Sequence, residues 1–279
     1  MFRLVLASLC LVPSVALAWI DTGHMLVSAV AEPDLKPQVR KEIDRLLKIG
    51  GTETTRSFWT ASCWADDTKA RENAAWHYIN FHFRTDGKPV DNKPLEENVV
   101  WAIERFKKVL SDAKRPEIER ADALRYLIHF VGDVHQPLHA TARDSEAYPR
   151  GDRGGNEFKV RAPQGMRPEP RNLHFLWDIG GGLYGEAPRP LQRDTAEFIE
   201  NLAKDIRRQH TRASLKETKV TDPAQWAQEG VKLAKEVVYT LPEDSVPSAE
   251  YLAKCKAVCR QQIALAGYRL ADLLNELLD

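Results

Sequence analysis

Between residues 117 and 135 apolar side chains occupy nearly every side of a helix. Ala121, Leu124, Tyr126, Leu127, Ile128, Phe130, Val131 and Val134 leave no polar face, the pattern of a helix buried all round. Two polar residues interrupt it. His129 and Asp133 stand four apart and so share one face. Pro137 removes a backbone donor and ends or kinks the helix, and His139 follows just past the break. Elsewhere the pattern is mostly amphipathic. Residues 24–32 form a short apolar segment, and 36–49 a helix stopped by Gly50-Gly51. Further helices are predicted over 56–72, 94–112, 191–208, 223–240 and 248–278, and over 173–179 with Asn172 as its cap. Residues 143–171 break the pattern with Gly, Pro and charged residues. Their one alternating run, Glu157 to Arg161, predicts a small hairpin. The expected fold is an all-α, single-domain helical bundle with a small β-hairpin loop. There is no repeat and no low-complexity tail.

Charge and length narrow the possibilities. The 279 residues fit one large domain or two small ones, and 40 basic residues balance 40 acidic ones. Nucleic-acid binding, if present, must therefore be local and not the work of a broad cationic surface. The first 18 residues read as a secretory signal. Arg3 supplies the positive end, Leu4 to Val12 the apolar core, and Ala16-Leu17-Ala18 the cleavage pattern. The apolar run is too short to span a bilayer, and no later stretch is apolar enough to insert. Cleavage after Ala18 makes Trp19 the first residue of a chain that is secreted or periplasmic. Its formal charge is then about −1, because Arg3 is lost. Cys63, Cys255 and Cys259 are an odd set with room for one bridge at most, and four residues on a helix is a poor spacing for one.

Candidate chemistry centres on the buried polar residues. An imidazole and a carboxylate inside an apolar helix are costly without partners. A hydrogen-bonded His–Asp pair is one answer and a divalent metal another. His174 and Asp178 repeat the four-residue spacing of His129 and Asp133. His139, His77, Asp66 and His24 also lie in apolar or aromatic surroundings. A free Trp19 amino group and its carbonyl oxygen can chelate as well. Any one of these alone reads as a core or surface residue. Together they make nine candidate ligands, all nitrogen or oxygen donors, which suits zinc. That is too many for one tetrahedral ion and about right for three with open positions. His82 and His210 have no such context and read as structural or surface residues.

The segments that carry these residues, in order, are Trp19 to His24, Trp64-Ala65-Asp66, His77-Tyr78-Ile79-Asn80, His129 to His139, Gly154-Gly155-Asn156, Asn172 to Asp178 and Ala266 to Ala271. They resemble the trinuclear-zinc, single-strand-specific nucleases of the S-one/P-one type across residues 19–279. The resemblance implies a phospholipase C/nuclease-like fold and a zinc-dependent nuclease domain over 19–279. It implies three Zn2+. One would be held by Asp66, His77, His129 and Asp133. A second would be held by the Trp19 amine and carbonyl, His24 and Asp133, and a third by His139, His174 and Asp178. His135 receives no role from it. Asp66, Lys69, Asp133 and Asn156 are the implied catalytic residues, and Lys69, Tyr78, Asn80 and Asn156 the substrate-binding ones. Two positions depart from the family. Lys69 is a point charge where Arg is usual. Asn80 offers donor and acceptor where Asp accepts only, which leaves base preference open.

The implied activity is hydrolysis of single-stranded DNA and RNA, and of 3′-nucleotides, by a monomer. Metal-activated water attacks phosphorus and 5′-phosphorylated products leave, with Lys69 and Asn156 steadying the phosphate. A zinc phospholipase C resembles the same fold and cluster. That relative ends its last ligand pair in Glu where this chain has Asp178, and it has a longer gap between the N-terminal Trp and the first His. A non-catalytic zinc-binding protein of the periplasm is the reading from another class.

Overall fold

The computed structural model describes residues 19–279. The expected signal segment, residues 1–18, lies outside them. The described residues form ten α-helices, about half of their number: α1 (Asp21–Ala31), α2 (Pro37–Leu47), α3 (Phe58–Ala61), α4 (Trp64–Asp67), α5 (Val99–Ser111), α6 (Glu117–Val134), α7 (Leu173–Asp178), α8 (Arg193–Gln209), α9 (Pro223–Glu236) and α10 (Ala249–Leu278). The architecture is all-α. None of these helices is long and apolar enough to cross a membrane.

Helix α6 is the central element. From Leu127 to Val134 every side chain is buried, as its all-round apolar pattern requires. It packs against α5, α2, α10, α1 and α9, and α1 also crosses α10 and α8. Helix starts are set by side-chain oxygens that accept otherwise unpaired backbone N–H groups. Asn98 caps α5, Asn172 caps α7, Asp222 caps α9 and Ser248 caps α10.

Two expectations need correction. The helix over 56–72 is broken into α3 and α4. Hydroxyls return to nearby carbonyls, Ser62 Oγ to Trp59 and Thr68 Oγ1 to Trp64, and compete with helical continuation. The small β element is not a hairpin within 143–171. It is a parallel pair, β1 (Phe81–Phe83) with β2 (Thr141–Arg143), in register Phe81 to Thr141, and a parallel pair cannot be closed by a tight turn. The alternating run finds partners outside its own loop instead, Lys159 with Asn172 and Val160 with Ser245. The ladder continues back toward two of the candidate ligands. Ile79 N donates to the His139 carbonyl at 2.7 Å and Phe81 N to the Ala140 carbonyl at 3.1 Å.

Candidate metal centre

Three groups of side chains meet at the C-terminal end of α6: His24 with His129 and Asp133, Asp66 with His77 and His129, and His139 with His174 and Asp178. In each, one ligand atom per residue lies within 4.8 Å of the others. Asp133 joins the first two. Its Oδ2 is 3.0 Å from His77 Nδ1 and 3.1 Å from His129 Nε2, while Oδ1 is 3.5 Å from His24 Nε2. Asp66 Oδ1 is 3.5 Å from His77 Nδ1 and 3.8 Å from His129 Nε2.

Backbone carbonyls hold the imidazoles. His129 Nδ1 donates to Ser62 O at 2.5 Å, a carbonyl that stands at the C-terminal end of α3 where the helix breaks. His139 Nδ1 donates to His77 O at 2.7 Å and His174 Nδ1 to Gly154 O at 2.6 Å. Each such bond fixes the ring and turns the opposite nitrogen inward. His139 Nε2 and His174 Nε2 consequently face each other at 3.2 Å. Asp178 Oδ2 is 3.6 Å from His174 Nε2, and its other oxygen accepts from Gln136 Nε2 at 2.7 Å.

The donor set fits divalent cations. His24 Nδ1 and Nε2, Asp66 Oδ1, His77 Nε2 and Asp133 Oδ1 are buried without a hydrogen-bond partner, a costly condition for so many atoms in one place. A cation among them would satisfy most. Burial keeps His24, His77 and His139 below the ordinary imidazole range, His139 down to about 3, so these are neutral donors at pH 7. His129 goes the other way. Burial opposes its charge, but the Asp133 and Asp66 carboxylates lift it to about 9. Burial would raise Asp133, yet His129 beside it and bonds from His129 and His77 hold its carboxyl well below the usual range. Burial pushes Asp178 well above that range.

Trp19 lies against the same helix end. Its indole Nε1 donates to the Gly132 carbonyl at 3.1 Å, one residue before Asp133, and Ile20 N donates to the Asp178 carbonyl at 3.3 Å. The N-terminal segment is thus pinned between α6 and α7. Lys69 Nζ stands 3.5 Å from Asp66 Oδ1 and is almost wholly buried. Tyr78, Asn80 and Asn156 line one cavity of about 110 Å3 together with Leu138, His139, His174 and Arg153. The sequence-predicted residues therefore converge on one region.

Other residues of this region carry no signal of their own in the sequence. Gln136, inside the His129–His139 stretch, ties Asp178 to the turn that presents His139 through Oε1, which accepts from Leu138 N. Arg153 sits in a loop of left-handed backbone, φ 55°, between Gly151 and Gly154. Asp152 Oδ1 clamps that loop by accepting from Arg143 N, Gly155 N and the Tyr239 hydroxyl. Gly154 must be glycine, since a Cβ there would stand 2.4 Å from the Leu138 carbonyl oxygen. The run of glycines around Arg153 is the one hint of this geometry.

His135 faces away from all three groups. It accepts from Arg269 Nη1 at 2.8 Å and donates to Val131 O at 2.7 Å, and Arg269 also grips Glu229 with two bonds of 2.8 Å. His82 Nδ1 is 2.6 Å from Asp144 Oδ1 beside the strand pair. Cys63, Cys255 and Cys259 are buried thiols without disulfides.

The profile of the S1/P1 Nuclease family matches residues 19–279. Nuclease P1 of Penicillium citrinum is 26% identical over 286 residues, covering 93% of this chain and 97% of that one. Endonuclease 2 of Arabidopsis thaliana is 26% identical over 280 residues, with 93% and 90% covered. Nuclease S1 of Aspergillus oryzae is 24% identical over 289 residues, with 92% and 91% covered.

Proposed function

The chain belongs to the S1/P1 nuclease family, and from that premise we propose that it is a zinc-dependent hydrolase of single-stranded DNA and RNA. It releases 5′-phosphorylated products and also removes phosphate from 3′-nucleotides. The observation that carries this reading is the convergence of three His/Asp groups at one place, two of which hold buried atoms of His24, Asp66, His77 and Asp133 with no hydrogen-bond partner.

Asp66, His77, His129 and Asp133 would hold one Zn2+. His24 and Asp133 would hold a second, with the amino nitrogen and carbonyl oxygen of Trp19 once it is the first residue. His139, His174 and Asp178 would hold the third. The ions supply Lewis-acid chemistry, drawing the pKa of water from ~16 toward ~7 and offsetting phosphate charge.

The chain's own groups do the rest. Lys69 brings an ammonium beside Asp66 and steadies the phosphate. Asn156, its amide held by donation to the Arg153 carbonyl at 2.9 Å, borders the third group and orients the sugar-phosphate. Tyr78 offers a ring face for an unstacked base, and Asn80 a donor and an acceptor for its edge. A base must leave a duplex stack to reach Tyr78, which favours single strands. Cleavage between phosphorus and the 3′ oxygen leaves the phosphate on the 5′ oxygen of the downstream product. The nucleoside that keeps the 3′ oxygen then belongs on the His139–His174 side.

The test is to strip the mature protein with chelator and add metal back. Cleavage of single-stranded DNA and RNA should vanish and return with zinc. Cleavage that persists without metal would overturn the reading.

A further inference from the structure

The candidate centre opens into a second cavity. Its volume is about 330 Å3, and its walls include Trp19, Ile20, Phe175, Ala187 and Pro188 together with Asp66 of the candidate centre. Helix α7 divides it from the cavity of Tyr78. His174 lines the first, and the next residue, Phe175, lines the second. Each cavity reaches a different metal-binding group, the first at His139 and His174, the second at Asp66.

A phosphodiester carries a nucleoside on each side of phosphorus, and the Tyr78 cavity accounts for one. Three observations favour the second cavity for the other. Phe175 is partly exposed, whereas Leu173, His174, Leu176, Trp177 and Asp178 around it on α7 are all buried. Its backbone is held at both ends of the helix, because Phe175 N donates to the Asn172 cap at 2.7 Å and Gln136 anchors Asp178 at the far end. The lining also holds no cation. Its charged members are Asp21, Asp66 and Glu186, and Asp21 is engaged by Arg189 at 2.8 Å. Such a wall brings no cation of its own to a phosphate and accepts an uncharged ring, which an aromatic face binds by stacking.

We propose that this cavity is a second nucleoside subsite, in which Phe175 stacks on the base at the 3′ side of the scissile phosphate. The inference rests on the proposed nuclease activity and adds a specificity element to it. The base on the 5′ side occupies the Tyr78 cavity, and helix α7 holds the two bases apart across the phosphate. Short substrates are then recognised from both sides, and a bare phosphate end loses the contribution of Phe175.

Three short DNA substrates decide the matter: one with both bases, one abasic at the 3′ side of the cleaved bond, and one abasic at the 5′ side. In the zinc-loaded wild type, loss of the 3′-side base should lower kcat/KM roughly tenfold, the scale of one stacking contact. Phe175→Ala should erase that discrimination, and Phe175→Tyr should restore it. Discrimination against the 5′-side abasic substrate should stay in Phe175→Ala, since it reports the Tyr78 cavity. Equal cleavage of the full and 3′-abasic substrates by the wild type would overturn the subsite, and so would unchanged discrimination in Phe175→Ala. The wild-type comparison stands even if a variant fails to fold. Failure to cleave any of the three would instead remove the nuclease reading, and this subsite with it.

Discussion

Asp133 carries more of the proposed centre than any other residue. Its two oxygens face two different groups, Oδ2 toward His77 and His129, Oδ1 toward His24. Asp178 serves one group only. Asp133→Ala should therefore cost about two of three bound ions and Asp178→Ala about one, by elemental analysis of the purified chains. Equal losses would contradict the sharing of Asp133. His129 adds a second residue-scale feature. Without metal it is held protonated up to about 9 by Asp133 and Asp66, so a cation that enters must displace its proton.

At the scale of elements, the helices act through their contacts with one another. Gly267 of α10 meets α1 so closely that a Cβ would stand 2.4 Å from Val30 Cγ1. Gly267→Ala should destabilise by roughly 2 kcal/mol through overpacking, measured by urea unfolding, and Val30→Ala in the same chain should recover part of it. A second contact ties the 3₁₀ turn after α1 to α8 and its following loop. Asp34 accepts from Arg207 at 2.7 Å and from Arg212 at 2.8 Å. Burial would raise its pKa, but the two guanidinium groups hold it below the ordinary value. A lowered carboxylate stabilises fully above its unfolded pKa, and the contribution fades as pH falls through the folded one. Asp34→Asn should thus cost about 1 kcal/mol at pH 7, modest because the site is partly exposed. The gap to wild type in thermal unfolding should shrink toward pH 3. A gap independent of pH would show that the ion pairs add nothing.

Much of this can be read from the sequence, for reasons that differ by residue. His129 and Asp133 stand out because two polar groups inside an otherwise apolar helix need a partner. His174 and Asp178 repeat their spacing, and the Asn172 cap follows from its side chain. The parallel pairing of 81–83 with 141–143 does not show, since three-residue strands have no usable period and their partners lie 60 positions apart. Yet that pairing sets the His77 region beside His139. The helix break near Ser62 is equally hidden, because it depends on hydroxyls choosing nearby carbonyls. Gln136 and Arg153 matter only through neighbours that the fold brings to them.

For the whole molecule, the proposed metals and the fold would be one system. The groups that would bind ions draw on α1, α4, α6, α7 and the turns at His77 and His139, so each ion would bridge elements distant in sequence. An ion at a hundredfold excess over its Kd adds about 2.7 kcal/mol, roughly 5–10 °C in a chain of this size. Chelator should lower the Tm by at least that much, and an unmoved Tm in calorimetry would deny the metals a structural share. The N-terminus is part of the same system. A chain that keeps Met before Trp19 presents an amide where the amine should chelate. It should retain about one ion fewer in elemental analysis, and full occupancy would contradict the role given to Trp19.

The most direct measurement is a crystallographic anomalous difference map of the zinc-loaded mature protein, recorded on both sides of the zinc absorption edge. The account predicts three peaks: one among Asp66, His77, His129 and Asp133, one between His24, Asp133 and the Trp19 terminus, and one among His139, His174 and Asp178. A map with no peak at these side chains, or with zinc bound only elsewhere, would contradict it.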